Sequence, residues 1–471
     1  MWGKALSSRQ VGMGRVGLVA LLMFCGLAIG TIGWRRSLGL AFLLSAAGAG
    51  TVVYRSATYS RHYGITDASI TLSSTLLLLL VAAIIVEARG ERAVPWVPLF
   101  LFTVGGVSLL LLYWGDQSQQ RAGLLLYVSA LLAFGVGRWL GENATPRYEV
   151  LVAIGLSSVT AAHLVAATFQ SRGELVGTSG DPAARDWVLN SHRMLGFYNH
   201  PSTLGKTTFL LLFFLLPLTM SRSRVARGSA QIGIVLGFIA SFLTVSRANV
   251  AASACAVLIW ILINRKAVSN GARIATAVAV GAATFGNLGA ISALETRNQA
   301  DPTGGPRDQL LSIGLHQIAD TPWFGVGANY YSEFVGRYDP YAATGFPVHN
   351  TFLLGVAELG IPLAVVFFSP VLLTVMIGWQ RWQRNGFLDA RTAAMVATVP
   401  GTLLITLTGW GMLSEASLLL WYAALGNLAT RGPEVLVSTD KSSNGDAAVP
   451  GTFSSHPDGT SPSVATMNAS N

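Results

Sequence analysis

The chain has 471 residues, of which 52% are hydrophobic and only 11% are charged. Soluble domains carry about 25% charged residues, so this composition excludes a soluble globular protein and indicates a surface that mostly faces lipid. The formal net charge is +9, but no Lys/Arg-rich block with interleaved aromatic residues occurs, which argues against nucleic-acid binding. The basic excess instead fits the positive-inside rule of membrane proteins.

Apolar segments long enough to cross a bilayer recur along the chain. A spanning helix needs about 20 mostly apolar residues. The candidate spans are 16–33, 37–54, 68–86, 94–114, 122–140, 149–169, 204–220, 229–246, 248–264, 272–290, 350–378, 390–411 and 414–430. The sequence therefore predicts an all-α, polytopic transmembrane helical bundle of about 12–13 spans in a lipid bilayer.

Basic loops predict the sidedness of this bundle. Three short clusters of Arg and Lys lie between predicted spans: 221–227, 264–273 and 381–391. These clusters should face the cytoplasm, which puts loop 170–203 and loop 291–349 on the outer side. Thirteen spans would place the N-terminus outside, whereas Lys4, Arg9 and Arg15 favour inside, so the N-terminal topology stays open.

The chain divides into three predicted regions. Residues 1–190 form N-terminal transmembrane helices, and residues 191–430 form a membrane region that carries the candidate site and the external loop 291–349. Residues 431–471 are rich in Ser, Gly, Pro, Asp and Asn and cannot bury an apolar core, so we expect a disordered cytoplasmic tail.

Two arginines stand at the outer ends of predicted spans. Arg193 lies in the polar and aromatic stretch that ends loop 170–203, beside a span. Arg247 follows Ser246 in a very short turn between two apolar helices. An arginine on the outer side runs against the positive-inside bias, and a cation at that depth requires an anionic partner. Both arginines are therefore candidates for binding an anionic substrate.

The long loop 291–349 should contain an amphipathic helix. Proline near the first turn and the break at Thr321-Pro322 predict a helix over 306–320. Three apolar residues share one face at helical spacing: Leu311, Leu315 and Ile318. Such a helix would lie on the membrane or cap the bundle. Arg307 should point toward the bundle, whereas His316, about 180° away, should be solvated.

The end of this loop carries the strongest candidates for chemistry. The glycines of 323–329 would let backbone amides approach a ligand, although no dinucleotide or Walker pattern is present. His349 and Asn350 open the next span, where free amides and the helix dipole attract phosphate. A histidine there can exchange a proton near neutral pH. Glu358 lies about 13 Å further along the helix, where a carboxylate is functional or structurally paired.

These residues predict one site. Arg193, Arg247, Arg307 and His349 should converge at the outer leaflet boundary. Arginine holds phosphate oxygens bidentately and stays charged, so the group would suit a diphosphate on a lipid tail. The outer loops carry no Asp/Glu cluster at metal-binding spacing. We therefore expect arginine, and no metal or other cofactor, to stabilise a leaving diphosphate.

At these residues the chain resembles the O-antigen ligase and polymerase superfamily of bacterial membrane glycosyltransferases. The matching stretches are Arg193 to Pro201, Leu243 to Arg247, Arg307 through Gly325-Val326-Gly327, and His349 to Leu353 with Glu358-Leu359-Gly360. Together they cover residues 190–380, and their order and spacing make the resemblance fairly specific.

The resemblance implies transfer of a glycan from undecaprenyl diphosphate to a glycan or lipid acceptor, with inversion and without a metal. It implies a multi-pass protein of the bacterial cytoplasmic (inner) membrane with its active site on the extracytoplasmic side. By analogy, Arg247 and Arg307 bind the diphosphate, and His349 activates the acceptor hydroxyl or assists phosphate binding. The remaining candidates for substrate binding are Arg193, Ser246, Asn350 and Glu358.

Three functions remain open from sequence. The first is a ligase that moves a finished glycan to an envelope acceptor, and the second is a polymerase that joins lipid-linked repeat units. The third is a transporter, which would predict inverted repeats and broken helices at the bilayer midplane. No repeat is visible, and the ionisable residues group at the outer boundary, so we favour the two enzymes.

Overall fold

The computed structural model describes residues 28–49, 72–88, 118–176, 182–198, 200–264, 307–340 and 347–430, with the isolated residues 295, 299 and 343. Thirteen α-helices lie in these ranges, and no strand is present in them. In chain order they are α1 (Trp34–Leu44), α2 (Leu72–Ala88), α3 (Ser118–Glu142), α4 (Pro146–Ser171), α5 (Pro182–Leu189), α6 (Pro201–Leu218), α7 (Arg224–Leu243), α8 (Arg247–Ile263), α9 (Arg307–Asp320), α10 (Tyr331–Val335), α11 (Thr351–Asn385), α12 (Ala390–Thr408) and α13 (Glu415–Leu428). A π-helix (Ser45–Ala49) follows α1, and a 3₁₀ turn (Gly411–Leu413) precedes α13.

Six of these helices are long and apolar enough to cross a membrane, namely α3 from Gly123 onward, α4, α6, α7, α11 and α12. Shorter apolar stretches lie in α2, α8 and α13. The predicted fold class, an all-α polytopic membrane protein, is confirmed. The predicted spans 94–114 and 272–290, most of 16–33 and the tail 431–471 lie outside the described residues.

Side-chain caps explain where several long helices begin. Thr145 accepts a hydrogen bond from the amide of Tyr148, with proline at the first helical position of α4. Asp389 accepts from the amides of Arg391 and Thr392 at the start of α12. These caps satisfy amides that the first helical turn leaves without partners. The loops that precede α4 and α12 are therefore short.

Hydrogen bonds between helix termini define one end of the bundle, which we call the basic end. It contains Arg36, Gly141, Asn143, Glu149, Ser221, Arg381 and Arg391. Arg391 donates to the carbonyl of Gly141 at 3.0 Å, and Ser221 donates to the carboxylate of Glu149 at 2.6 Å. The clusters 221–227 and 381–391 thus lie at one end, as predicted. The third cluster, 264–273, lies outside the described residues except for Asn264.

The opposite end, which we call the site end, is where α6, α8 and α11 begin and α12 finishes. The Nδ2 group of Asn249 donates to the carbonyl of Ser202 at 3.1 Å, which joins the starts of α8 and α6. Thr351 donates to the carbonyl of Gly409 at 2.6 Å, which joins the start of α11 to the end of α12. The loops that carry the candidate residues are therefore tied to one another directly.

Helix α9 caps the bundle at this end. The buried residues are Leu310, Gly314 and Gln317. Leu311 and Leu315 of the predicted apolar face are exposed, so these two residues do not pack on the bundle, and their contact with the membrane stays a prediction. Gly314 approaches Val348 so closely that a Cβ atom would lie 3.1 Å from its side chain. The contact between α9 and the bundle therefore depends on the close approach of the backbone at Gly314, which a face of large apolar residues would prevent.

Helix α11 is longer than a membrane requires. Its 35 residues are interrupted at Gly360, and the part after this break, residues 361–385, spans about 38 Å at 1.5 Å per residue, against a hydrocarbon core of about 30 Å. Its large exposed apolar side chains begin at Ile361 and end at Trp382, a stretch of about 33 Å. The backbone of Trp323 and Phe324 lies against Gly360 at the start of this stretch, and both side chains are exposed, as expected for an interfacial aromatic belt. The first ten residues of α11 carry no large exposed apolar side chain.

Candidate functional site

Buried polar side chains of α4 shape the loop that carries Arg193. Gln170 accepts hydrogen bonds from the amides of Leu195 and Gly196 at 2.8 and 3.0 Å and donates to the carbonyl of Gly196 at 2.7 Å. His163 accepts from the amide of Phe197 at 3.3 Å through Nδ1, while Nε2 bonds the carbonyl of Ala47. Because both ring nitrogens of His163 are occupied, this histidine has a structural role.

This loop holds Arg193 in a buried position. Its Nε atom donates to the carbonyl of Thr244 at 3.1 Å, and its guanidinium lies 4.7 Å from the centre of the Trp187 ring. The side chain is only 7% exposed. The bond to Thr244 places Arg193 against the turn that leads into α8 and Arg247.

That turn is strained, and its serine hydroxyl does not cap the helix that follows. Val245 adopts a φ of 52°, which costs a β-branched residue about 1–3 kcal/mol and is typical of functional positions. Ser246 occupies the N-cap position of α8 but makes no side-chain capping bond. The half-buried Arg247 is the first residue of the helix. The serine hydroxyl and the N-terminal amides of α8 can therefore meet an anion.

His349 lies in the turn before α11, at the same end of the bundle. Its Nδ1 atom lies 3.0 Å from the carbonyl of Pro347. A carbonyl only accepts, so Nδ1 carries the hydrogen and the neutral ring presents its lone pair on Nε2. The pKa of His349 is lowered below 6.5, mainly by burial and then by the positive charge of Arg307. Lys206 adds a smaller effect in the same direction, and the bond to Pro347 opposes the shift.

Arg307 begins α9 and lies within electrostatic range of His349. The side chain is half-buried. Its Nε atom is fully buried and has no hydrogen-bond partner among the residues that the structure describes. A buried guanidinium nitrogen without a partner is costly, so this group is suited to receive an anionic ligand.

Asn350 is the N-cap residue of α11. Its Oδ1 atom accepts hydrogen bonds from the amides of Phe352 and Leu353 at 3.0 and 3.1 Å. These two amides are therefore occupied, and the start of α11 offers phosphate less than its sequence position indicated. The carboxamide Nδ2 group of Asn350 is not used by this cap, so the residue can still contact a substrate.

Lys206 is a residue of the site that the sequence reasoning missed. It lies in α6, is only 8% exposed, and interacts electrostatically with Arg193 and with His349. A Cβ atom on Gly411 would collide with its Nζ atom, so the ammonium group lies directly against that glycine. A lysine inside a predicted span is a functional candidate by default, and this signal could have identified it.

Glu358 lies on α11 and is bound by protein groups. The hydroxyl of Tyr127 on α3 donates to its Oε2 atom at 2.5 Å. The backbone amides of Asn329 and Tyr331 also donate to the carboxylate. The side chain is buried, so these contacts support a positioning role more directly than contact with substrate.

The glycines before Asn329 serve a different purpose from the predicted one. Gly360 has a φ of 75° and a ψ of 163°, which breaks α11. A Cβ atom on Gly325 would collide with the backbone of Glu358, and one on Gly360 would collide with the backbone of Trp323. The amide of Gly327 donates to the carbonyl of Glu358 at 3.0 Å. These glycines therefore let the 321–330 loop pack into the break in α11.

The sequence-predicted residues are thus distributed along one end of the bundle. Arg193 contacts the turn before Ser246 and Arg247, whereas Arg307 is the neighbour of His349. Lys206 interacts with both groups. His316, expected to be solvated, is exposed and pairs with Asp320 at 3.2 Å. Within the described residues, no group of three or more His, Cys, Asp or Glu side chains is placed to hold a metal ion.

Part of this region of the chain matches a known protein family. A family model described as O-antigen ligase matches residues 232–368, a region that contains Arg247, Arg307, His349 and Glu358 but neither Arg193 nor Lys206. No curated protein matches the chain. This match over residues 232–368, together with the apolar spanning helices, supports a membrane glycosyltransferase of the O-antigen ligase/polymerase family.

Proposed function

We propose that this chain is a ligase that transfers a glycan from undecaprenyl diphosphate to an acceptor of the bacterial cell envelope. The observation that carries the proposal is the position of His349 beside the cations Arg307 and Lys206, outside the spanning part of α11. A neutral imidazole next to fixed positive charge suits a reaction in which a hydroxyl loses a proton while negative charge develops on a leaving phosphate.

Donor binding would use the positive groups on both sides of His349. Arg247 and Arg307 bind oxygens of the diphosphate, and Arg193 supports the turn before Arg247. The hydroxyl of Ser246 and the N-terminal amides of α8 add hydrogen-bond donors. Asn350 can contribute through its free Nδ2 group. Glu358 would act by holding the 321–330 loop.

The reaction is a displacement at the anomeric carbon of the donor sugar. An acceptor hydroxyl passes its proton to Nε2 of His349, and its oxygen forms a bond to the anomeric carbon. The bond from that carbon to the diphosphate oxygen breaks, and the electron pair stays on the diphosphate. Attack from the opposite face inverts the configuration, and the arginines stabilise the departing charge without a metal ion.

The site would face the outer side of the cytoplasmic membrane. Support comes from the separation of the basic end, with Arg381 and Arg391, from the site end, with His349. The positive-inside rule assigns the basic end to the cytoplasm. Donor glycans carried on a polyprenyl anchor would then reach the site from the outer leaflet.

The test is an in vitro assay with purified full-length protein and radiolabelled undecaprenyl-diphosphate glycan. We expect wild-type protein to transfer label to a separate acceptor, and Arg247→Ala and His349→Ala to reduce the rate at least a hundredfold. His316→Ala is the matched control, because this exposed histidine pairs with Asp320 on the outer face of α9 and should leave the rate unchanged.

The products also separate the two enzymes. A labelled product on a different acceptor supports the ligase, whereas lengthened lipid-linked chains would show a polymerase instead. Full activity of Arg247→Ala or His349→Ala would contradict the assigned mechanism.

A further inference from the structure

Lys206 is a buried cation beside which the described residues place no compensating charge. It lies five residues into α6, about 7.5 Å from the start of the helix at 1.5 Å per residue. Among the described residues it has no hydrogen-bond or ion-pair partner. The charged group that acts on it is another cation, Arg193. Burying an ammonium group costs several kcal/mol unless an anion is nearby.

A second buried cation in the same protein shows what a structural role looks like. Arg381 at the basic end is 9% exposed, against 8% for Lys206. It donates to the carbonyls of Leu428 and Thr430, and its Nε atom lies 3.6 Å from the carboxylate of Asp389. The charge on Arg381 is therefore compensated by protein groups. Lys206 is packed against Gly411, and no described group compensates its charge.

The surroundings of Lys206 indicate which anion it could bind. It lies within electrostatic range of both Arg193 and His349. Thr351, two residues after His349, donates to Gly409 beside Gly411, so the turn packed on the ammonium also holds the start of α11. Lys206 is therefore close to one residue from each of the two groups that the proposed reaction uses.

We infer that Lys206 is a further cation that binds the diphosphate of the polyprenyl donor, close to both Arg193 and His349. The inference rests on the proposed function and names a residue outside the region matched by the family model. The diphosphate gains a further negative charge when its bond to the sugar breaks. A third fixed cation stabilises this charge, and the buried surroundings strengthen the interaction.

The test compares Lys206→Met with Arg381→Met in full-length protein in detergent. Methionine keeps the length and apolar character of the lysine stem but removes the charge. The probe is farnesyl diphosphate, and its dissociation constant is measured by isothermal titration calorimetry. Thermal unfolding of the ligand-free proteins is measured in parallel.

For Lys206→Met we expect at least tenfold weaker binding of farnesyl diphosphate together with an unchanged or higher Tm, because an unpaired buried charge is removed. For Arg381→Met we expect a lower Tm and binding within twofold of wild type. A Tm decrease in Arg381→Met but not in Lys206→Met distinguishes a structural cation from a ligand-binding one.

Unchanged binding by Lys206→Met, or a Tm decrease like that of Arg381→Met, would overturn the inference while leaving the proposed function intact. Wild-type protein that does not bind farnesyl diphosphate would overturn both. Binding that depends on Lys206 in a protein without glycan transfer would support this site and contradict the proposed reaction.

Discussion

The hydroxyl of Tyr127 on α3 lies 2.5 Å from the Glu358 carboxylate on α11, and both side chains are buried. This hydrogen bond joins two helices at the level where Gly360 breaks α11. The amides of Asn329 and Tyr331 bind the same carboxylate. One acidic side chain thus connects α3, α11 and the loop that follows α9, the helix that begins with Arg307.

Removal of the Tyr127 hydroxyl should destabilise the protein. In Tyr127→Phe the buried carboxylate of Glu358 loses a donor, which costs about 1–3 kcal/mol, so we expect a lower Tm in detergent. Tyr338→Phe is the control, because Tyr338 is exposed and its hydroxyl bonds the neutral side chain of Gln317 instead of a carboxylate. Equal Tm values for the two variants would contradict the importance of this contact.

A side chain at Gly360 should disrupt the break in α11. Its φ of 75° with ψ of 163° is a region open essentially to glycine alone, and a Cβ would also collide with Trp323. We expect Gly360→Ala to lower the Tm much more than Gly386→Ala. Gly386 has a φ of 69°, but a Cβ added there would meet nothing within 4 Å, so only the cost of its left-handed conformation, about 1 kcal/mol, applies. Similar losses for both would show that the loop contact contributes little.

Arg193 should not be replaceable by lysine. The guanidinium bonds Thr244 through Nε and stacks on Trp187 at the same time, and an ammonium group lacks this planar geometry. We expect Arg193→Lys to reduce glycan transfer at least tenfold, nearly as much as Arg193→Ala. Arg185→Lys, at an exposed position of α5, is the control and should retain full activity. Wild-type transfer by Arg193→Lys would mean that positive charge alone suffices.

The acid limb of the pH–rate profile should report His349. Burial and Arg307 lower its pKa below 6.5, so the ring is neutral at pH 7 and kcat/KM should fall only below pH 6.5, where protonation removes the base. Removing a neighbouring cation makes protonation easier, so the residual activity of Arg307→Gln should have its acid limb at higher pH. His316→Asn should leave the limb in place. A limb that moves to lower pH in Arg307→Gln would contradict this coupling.

The apolar periodicity of the chain predicted most described helices to within a few residues. The predicted span 149–169 is the centre of α4, and the predicted helix over 306–320 is α9. These predictions succeed because spanning length and local breakers such as Pro322 are properties of short segments. The contact of α9 with the bundle was not predicted, since Gly314 and Val348 approach each other from distant parts of the chain.

The sequence by itself therefore determined that the protein is a helical membrane protein, which end of the bundle is basic, and which residues other than Lys206 are candidates for the site. Only the tertiary structure decided what these residues touch: Asn350 and Glu358 bind backbone amides, whereas Lys206, which it added to the site, has no described partner. The reason is physical. Hydropathy is a local property of the chain, but whether a buried charge is compensated depends on groups that folding brings together from remote segments.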